Sequence, residues 1–441
     1  MAATESKSAR AAAVRIIEQL RARGHEALLA GGCVRDTLLG REPHDFDVAT
    51  SARPEEVEQL FPRTIPVGAQ FGVIIVMDGA IETEVATFRA DGEYPDGRRP
   101  DRVTYADAEA DAQRRDFTIN GLFLDPLENR VLDFVNGQRD LAGRTLRAIG
   151  DPRQRFREDK LRLLRAVRFA AALDFAIDPA TWSALRGLAA EIHQVSAERI
   201  RAELIRLLAH PNRVRGFDLL DESGLLAEIL PEVSALKGCE QPPEFHPEGD
   251  VFVHTRLMLE LLPAGVSPEL ALAVLFHDIG KPPTATVDGT GRIRFNGHEH
   301  VSARMSEAIL RRLRFSNDEI ARIVAMVENH MAFKDVRQMR VAKLKRFIAR
   351  PTFAEELELH RVDCASSHGM LDNHEFLIAR REEFANEPLI PAPLVNGRDL
   401  IDLGWKPGPR FKEVLEEAQT RQLEGRFRDR TEALTWLREL K

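Results

Sequence analysis

The sequence predicts an α+β chain: a β-rich N-terminal region that ends near Leu146, then helix to the C-terminus. Three observations predict it. Leu28 to Thr50, LLAGGCVRDTLLGREPHDFDVAT, reads as strand, glycine turn, short helix, turn and second strand, with Val34, Leu38 and Leu39 at helical spacing. Gly72–Met77 and the alternating Ile81–Phe88, IETEVATF, read as neighbouring strands. From about Gly150 the alternation stops, and apolar residues recur every three or four positions.

The 441 residues leave room for two to four domains, and 44% hydrophobic with 30% charged residues is an ordinary globular composition. No apolar run approaches a membrane span, and the first ten residues lack the apolar core of a secretory signal. Cys33, Cys239 and Cys364 are scattered without a CxxC, which argues against a disulfide framework or cysteine zinc site and fits a reducing, cytoplasmic compartment. A net charge of −8 excludes a uniformly basic nucleic-acid binder. Arginine nevertheless outnumbers acid between Arg139 and Arg215, and a local basic face suffices to attract an anionic backbone.

Residues 5 to 24 form an amphipathic helix ended by Gly24. In the stretch that follows, Gly31-Gly32 at a helix start offers bare N–H groups to phosphate. Asp45 and Asp47 lie two apart on the expected second strand, so they leave one face together, and hard oxygen ligands beside such a turn suit Mg²⁺. Taken alone, the motif reads more readily as a glycine turn with two solvated acids on an edge strand. Thr50 or Ser51 is expected to cap a helix with Pro54 in its first turn. Glu84 adds a third carboxylate if its strand pairs beside the two aspartates, or is simply a solvent-facing acid.

Arg89 to Arg102 reads as a loop able to close over a phosphate site, or as a polar hairpin. Arg114-Arg115-Asp116, with Asn120 as a cap before an apolar strand, offers bidentate donors to a polyphosphate. Phe156 to Leu173 reads as one helix with Glu158, Asp159, Arg162, Arg165 and Arg168 along a side. It is either a salt-bridged surface helix or a row of fixed donors and acceptors matching the edge of a nucleobase. Ser196 starts a further helix, and the proline-containing Leu236–Asp250 reads as a linker.

The second half collects a different set. His254 begins one helix, and His277-Asp278 ends an apolar one. His298 and His300 share NGHEH, His330 sits in ENHM and Asp363 in RVDCAS. Imidazoles and carboxylates on neighbouring helices bind one or two divalent metals that activate water. The spacing leaves His298 and His300 as alternatives. The tail reads as a turn between Gly404 and Lys412, then two helices.

LLAGGCVRDTLLG, HDFDVAT, EVATFR, RRDFTIN, FREDKLRLLRAVRF and SAERIRAEL, in that order, resemble the bacterial CCA-adding tRNA nucleotidyltransferases of the class that also contains bacterial poly(A) polymerases. The second half resembles an HD phosphohydrolase domain, which some of these enzymes carry. The resemblance implies a polymerase beta-like nucleotidyltransferase head with a mixed sheet at 1–147. It implies an all-α remainder: a nucleotide-recognition and RNA-binding neck at 148–235, an HD domain at 236–370 and a helical tail at 371–441. It implies that Asp45 and Asp47 bind Mg²⁺, that Glu84 fills the third acidic position, and that Gly32, Arg35 and Arg115 contact the triphosphate. Glu158, Asp159 and Arg162 would hydrogen-bond the incoming base, with Arg165 and Arg168 extending that face. His254, His277, Asp278 and Asp363 match the HD pattern, with His298 and His330 at the extra positions of two-metal members, for a divalent metal of unknown identity.

The activity so implied is template-independent addition of C, C and A to the 3′ end of tRNA from CTP and ATP, by two-metal transfer that releases pyrophosphate. Poly(A) polymerase, partial CC or A addition, an HD hydrolase of 2′,3′-cyclic phosphates or phosphate monoesters, and a non-catalytic RNA binder are its rivals.

Overall fold

The computed structural model describes residues 2–68, 72–92, 103–244, 246–386 and 388–440. It divides into two compact units, Met1–Pro231 and Glu232–Lys441.

The first unit is built on a seven-stranded mixed sheet. Its order is Thr64–Gly68, Val73–Asp78, Ile81–Thr87, Asp47–Thr50, Ala27–Ala30, Leu122–Asp125 and Arg130–Asp133. All neighbours are antiparallel except Asp47–Thr50 with Ile81–Thr87. The Ala27–Ala30 strand is buried on both faces, as its unbroken apolar run requires. Leu28, Ala30, Ala49, Phe88, Ala112 and Phe123 share one core cluster, in which Phe88 and Phe123 meet edge to face at 5.9 Å. Each such buried ring contributes roughly 1.5–3 kcal/mol.

Several expectations need correction. The second strand begins at Asp47, so Asp45 lies on its approach rather than within it. The helix Pro54–Leu60 starts from Arg53, whose N–H is taken by the Glu56 carboxylate at 2.7 Å; Ser51 instead accepts from the Glu26 N–H. Most of the Arg89–Arg102 loop falls outside the described residues, but Arg89–Asp91 is a strand paired with Val103–Tyr105. The expected Phe156–Leu173 helix is two helices, Pro152–Glu158 and Leu161–Leu173, separated by an extended Asp159. Strand pairing also continues past Leu146, in the parallel Thr145–Leu146 and Ala176–Ile177 pair and in a small hairpin at Thr286–Val287 and Ile293–Arg294.

The second unit is almost wholly helical. Its centre is Pro268–Phe276, capped by Ser267 with Pro268 in the first turn; Leu270 through Phe276 are all buried. A helix apolar on every side belongs in a core. That places His277 and Asp278, at its C-terminus, inside the protein. Among the described residues no helix is long and apolar enough to cross a membrane.

Candidate functional site

In the first unit, parallel pairing of Val48 with Val85 brings Asp47 and Glu84 to the same level on adjacent strands. Phe46 and Val48 are buried, while Asp45 is exposed and Asp47 half-buried, so the two aspartates share the other side. Burial, then Glu84 and Asp45, push the Asp47 carboxyl up to about 7 despite Arg115. Burial and Asp45 likewise raise Glu84. Three acids that repel one another in this way fit a divalent cation.

Gly31 adopts φ 71°, and a Cβ there would stand 2.9 Å from Arg115 Nη1. Glycine is therefore needed both for the backbone and for the close approach of the guanidinium. Arg115 is aimed by Asp111 Oδ2, which accepts from Nε at 3.1 Å and Nη2 at 3.0 Å, and by the Asn120 carbonyl at 3.2 Å.

Arg35 is buried. It donates to both Asp36 oxygens at 2.8 and 2.9 Å and to Asn120 Oδ1 at 2.7 Å. Asn120 Nδ2 donates on to Asp116 Oδ1 at 3.0 Å, and Arg165 donates twice to Asp116 Oδ2 at 2.8 and 2.6 Å. Burial would raise the Asp116 carboxyl, but Arg165, Asn120 and Arg162 hold it well below the usual range. Asn120 is thus an internal link rather than an open cap. The guanidinium carbons of Arg35, Arg165 and Arg168 stand 5.2, 5.1 and 4.0 Å from the Phe169 ring centre.

At the break between the two neck helices, Arg162 donates to Glu158 at 2.7 Å and to the carbonyls of Arg155 and Arg114 at 2.9 and 3.0 Å. Asp159 is gripped bidentately by Arg199 at 3.0 and 2.7 Å. Arg168 donates to the buried Glu203 at 2.5 Å. The structure therefore brings Arg35, Arg115, Arg162 and Arg165 into one bonded framework of the first unit; Arg168 adjoins it only over the Phe169 ring, and Gly32 lies beside Arg35 without a bond to it. Asp116 and Asn120 are links of that framework and Arg199 holds Asp159; sequence reasoning gave Asn120 only a capping role and assigned none to Arg199. Their signal was present in RRDFTIN and SAERIR, but only tertiary contact shows which charge each one holds.

In the second unit six predicted residues converge. Asp250 caps Val251–Leu261 and sets His254 one turn in; Phe353–Ser366 carries Asp363. His254 Nε2 lies 3.1 Å from Asp363 Oδ1, His277 Nε2 3.0 Å from Asp278 Oδ2, and His298 Nε2 3.2 Å from Asp278 Oδ1 and 3.1 Å from His330 Nε2. Gly280 makes this possible: a Cβ there would meet the His298 carbonyl at 2.5 Å and the Ser302 nitrogen at 2.6 Å. His298, not the exposed His300, faces the cluster.

Burial pushes His330 down to about 3, with His277 and His298 beside it, leaving a neutral ring. Asp278 stays well below the usual carboxylate range: burial opposes ionisation, but His277 and Lys281 outweigh it. His254 Nε2, His277 Nε2 and both Asp278 oxygens are buried without a well-aligned hydrogen bond, although Lys281 Nζ stands 2.6 Å from Asp278 Oδ2. Orphaned donors converging on one spot fit a bound cation. His254, His277 and Asp278, and again Asp278, His298 and His330, each present ligand atoms within 4.8 Å of one another. The head carboxylates are not among the groups gathered that tightly in the described residues. A cleft of about 310 Å³ opens beside His330 and Asp363, with Lys334, His368 and Asn373 on its walls. A larger hollow of about 470 Å³, between Lys237–Glu240 and the Thr286–Ile293 hairpin, touches none of these ligands.

Fold and sites together define a nucleotidyltransferase-type head followed by helical domains, one of which bears an HD-type cluster. Three family models match: the poly A polymerase head domain over residues 27–147, the probable RNA and SrmB-binding site of polymerase A over 174–237, and the HD domain over 251–360. Over these three stretches the chain is similar to the head, RNA-binding and HD domains of the poly A polymerase type. It is 47% identical over 197 residues to a CCA-adding enzyme of Streptococcus suis, covering 44% of this chain and 49% of that one. It is 45% identical over 214 residues to one from Geobacillus sp., covering 48% and 53%. The chain thus spans about half the length of the curated relatives it matches. The crystal structure of the Bacillus stearothermophilus CCA-adding enzyme in complex with CTP superposes with a TM-score of 0.74 at 29% identity, covering 97% of this chain and 96% of that one. A Thermotoga maritima CCA-adding enzyme complexed with tRNA, 19% identical with a TM-score of 0.61 over 97% and 94%, shares the fold.

Proposed function

We propose that this chain adds C, C and A to the 3′ end of tRNA, using CTP and ATP in the cytoplasm. The observation that carries the reading is the pairing of Asp47 with Glu84 beside Arg115, on a head whose relatives are CCA-adding enzymes. In the reaction the terminal 3′-oxygen bonds to the α-phosphorus, the bond to the bridging oxygen breaks, and pyrophosphate leaves. Asp45, Asp47 and Glu84 would hold Mg²⁺ ions, which lower the pKa of the attacking hydroxyl and neutralise charge on the phosphates. Arg115 and Arg35, already fixed by Asp111, Asp36 and Asn120, meet the triphosphate without reorganising. Asp159 and Arg162, backed by Glu158, offer an acceptor and donors to the base edge, so the protein takes the place of a template. The arginine-rich neck would grip the acceptor arm through its phosphates and shape.

The test is to incubate the protein with tRNA lacking its CCA end, Mg²⁺, CTP and ATP, and to sequence the products. Ends that stop at CCA support this reading. Long A tails point to the poly(A) rival, and ends that stop at CC to partial addition.

The buried cluster of the second unit supports a second activity, hydrolysis of a phosphate monoester or 2′,3′-cyclic phosphate. His254, His277, Asp278, His298, His330 and Asp363 would hold one or two divalent metals, which supply an activated water. Opening of a 2′,3′-cyclic end to a terminal phosphate, or release of inorganic phosphate from a phosphate-ended RNA, lost in His277→Ala but not in Asp45→Ala, is its test.

A further inference from the structure

Four histidines face the cluster of the second unit, and each must keep its Nε2 lone pair inward to serve a cation. Three do so in one way: the Nδ1 of His277, His298 and His330 lies 2.8, 2.8 and 2.6 Å from the carbonyl three residues back. That contact fixes the tautomer, because only a protonated Nδ1 hydrogen-bonds a carbonyl. His254 breaks the pattern. Its Nδ1 lies 2.7 Å from Glu248 Oε1, and both side chains are buried. Glu248 comes from outside the helix, on a segment pinned by Gln241 N–H to the Gly249 carbonyl and Val251 N–H to the Cys239 carbonyl. His246 Nδ1 approaches the same Oε1 at 2.9 Å and clamps it from the other side.

We propose that Glu248 is the positioning residue of the metal centre. It holds His254 in the Nδ1–H tautomer and, as a carboxylate, makes its Nε2 a stronger donor to a divalent cation than the carbonyl-held rings. This rests on the reading that the cluster binds such a cation. An anion behind a ligating imidazole orients the ring and raises its basicity, and its loss typically lowers metal affinity about 10–100-fold.

The test uses the full chain carrying Asp45→Ala and Asp47→Ala, so that the head contributes no binding, titrated with Mn²⁺ or Zn²⁺ alone by calorimetry. Glu248→Ala should weaken binding about 10–100-fold, whereas Glu248→Gln, which retains shape and an acceptor but not the charge, should lose less. His300→Ala should change nothing. Thermal melts without metal separate loss of affinity from loss of fold; if Glu248→Ala does not fold, Glu248→Gln decides. If His254→Ala abolishes binding while the Glu248 variants bind like the parent, the positioning role is wrong and the metal centre stands. If His254→Ala and His277→Ala also leave binding unchanged, or the parent binds no ion, the metal-centre reading falls and takes the proposal with it.

Discussion

The two candidate centres of this chain are prepared in opposite ways. In the head the acids lie at a half-open sheet end and repel one another, so Asp47 holds its proton up to about 7. In the second unit the ligands other than the half-buried Asp363 are buried, their imidazoles are oriented by carbonyls or by Glu248, and the Asp278 carboxyl is held low, against burial, by His277 and Lys281. The first arrangement suits ions that arrive with a substrate and leave with a product. The second suits an ion that stays.

The largest effect separates the two centres outright. Asp45→Ala with Asp47→Ala should lower nucleotide addition by at least about 10³-fold, because the charge compensation at the phosphates is gone. Hydrolysis dependent on His277 should survive, and measuring both activities on one preparation checks this. Joint loss in a folded protein would break the separation.

Next comes Asp116. It is buried beneath Arg165 and Asn120, so Asp116→Ala leaves a guanidinium uncompensated and should cost about 3–5 kcal/mol in denaturant unfolding of the first unit. Gly31→Ala should be milder, at about 1–2 kcal/mol from its positive φ, and should weaken CTP binding because the methyl displaces Arg115.

Titration sharpens the contrast. Asp47 has a folded value above its ordinary 3.8, so the folded state binds the extra proton between the two. The stability this contributes is complete below 3.8 and lost as the pH rises through about 7. The metal-free head should therefore melt lower at pH 8 than at pH 5.5. Asp47→Asn should flatten that slope and gain on the order of 1–2 kcal/mol at pH 8, as should added Mg²⁺. Smallest of all, His300→Ala should stay within about 0.5 kcal/mol of the parent, whereas His298→Ala should lose the metal.

Much of this was legible beforehand. Alternation in IETEVATF, the unbroken run at Leu28–Ala30 and the apolar Leu270–Phe276 each gave an element its type and its place in the core. The losses have physical causes. Asp159 sits in a run with perfect helical spacing, yet Arg199 from a distant helix holds it in an extended break. Thr64–Gly68 is an edge strand whose proline and glycine mask its period. His246 and Glu248 lie in QPPEFHPEGD, a stretch whose prolines and glycine read as linker; only folding turns Glu248 onto His254. Local pattern fixes periodicity, but which charge faces which is decided by chain segments far apart in number.

The bidentate Arg199–Asp159 pair has a consequence of its own. Any molecule drawn to that carboxylate must share its oxygens with a guanidinium already fastened there by two bonds. A newcomer that meets only the remaining lone pairs leaves Arg199 in place; one that needs the whole edge has to displace it.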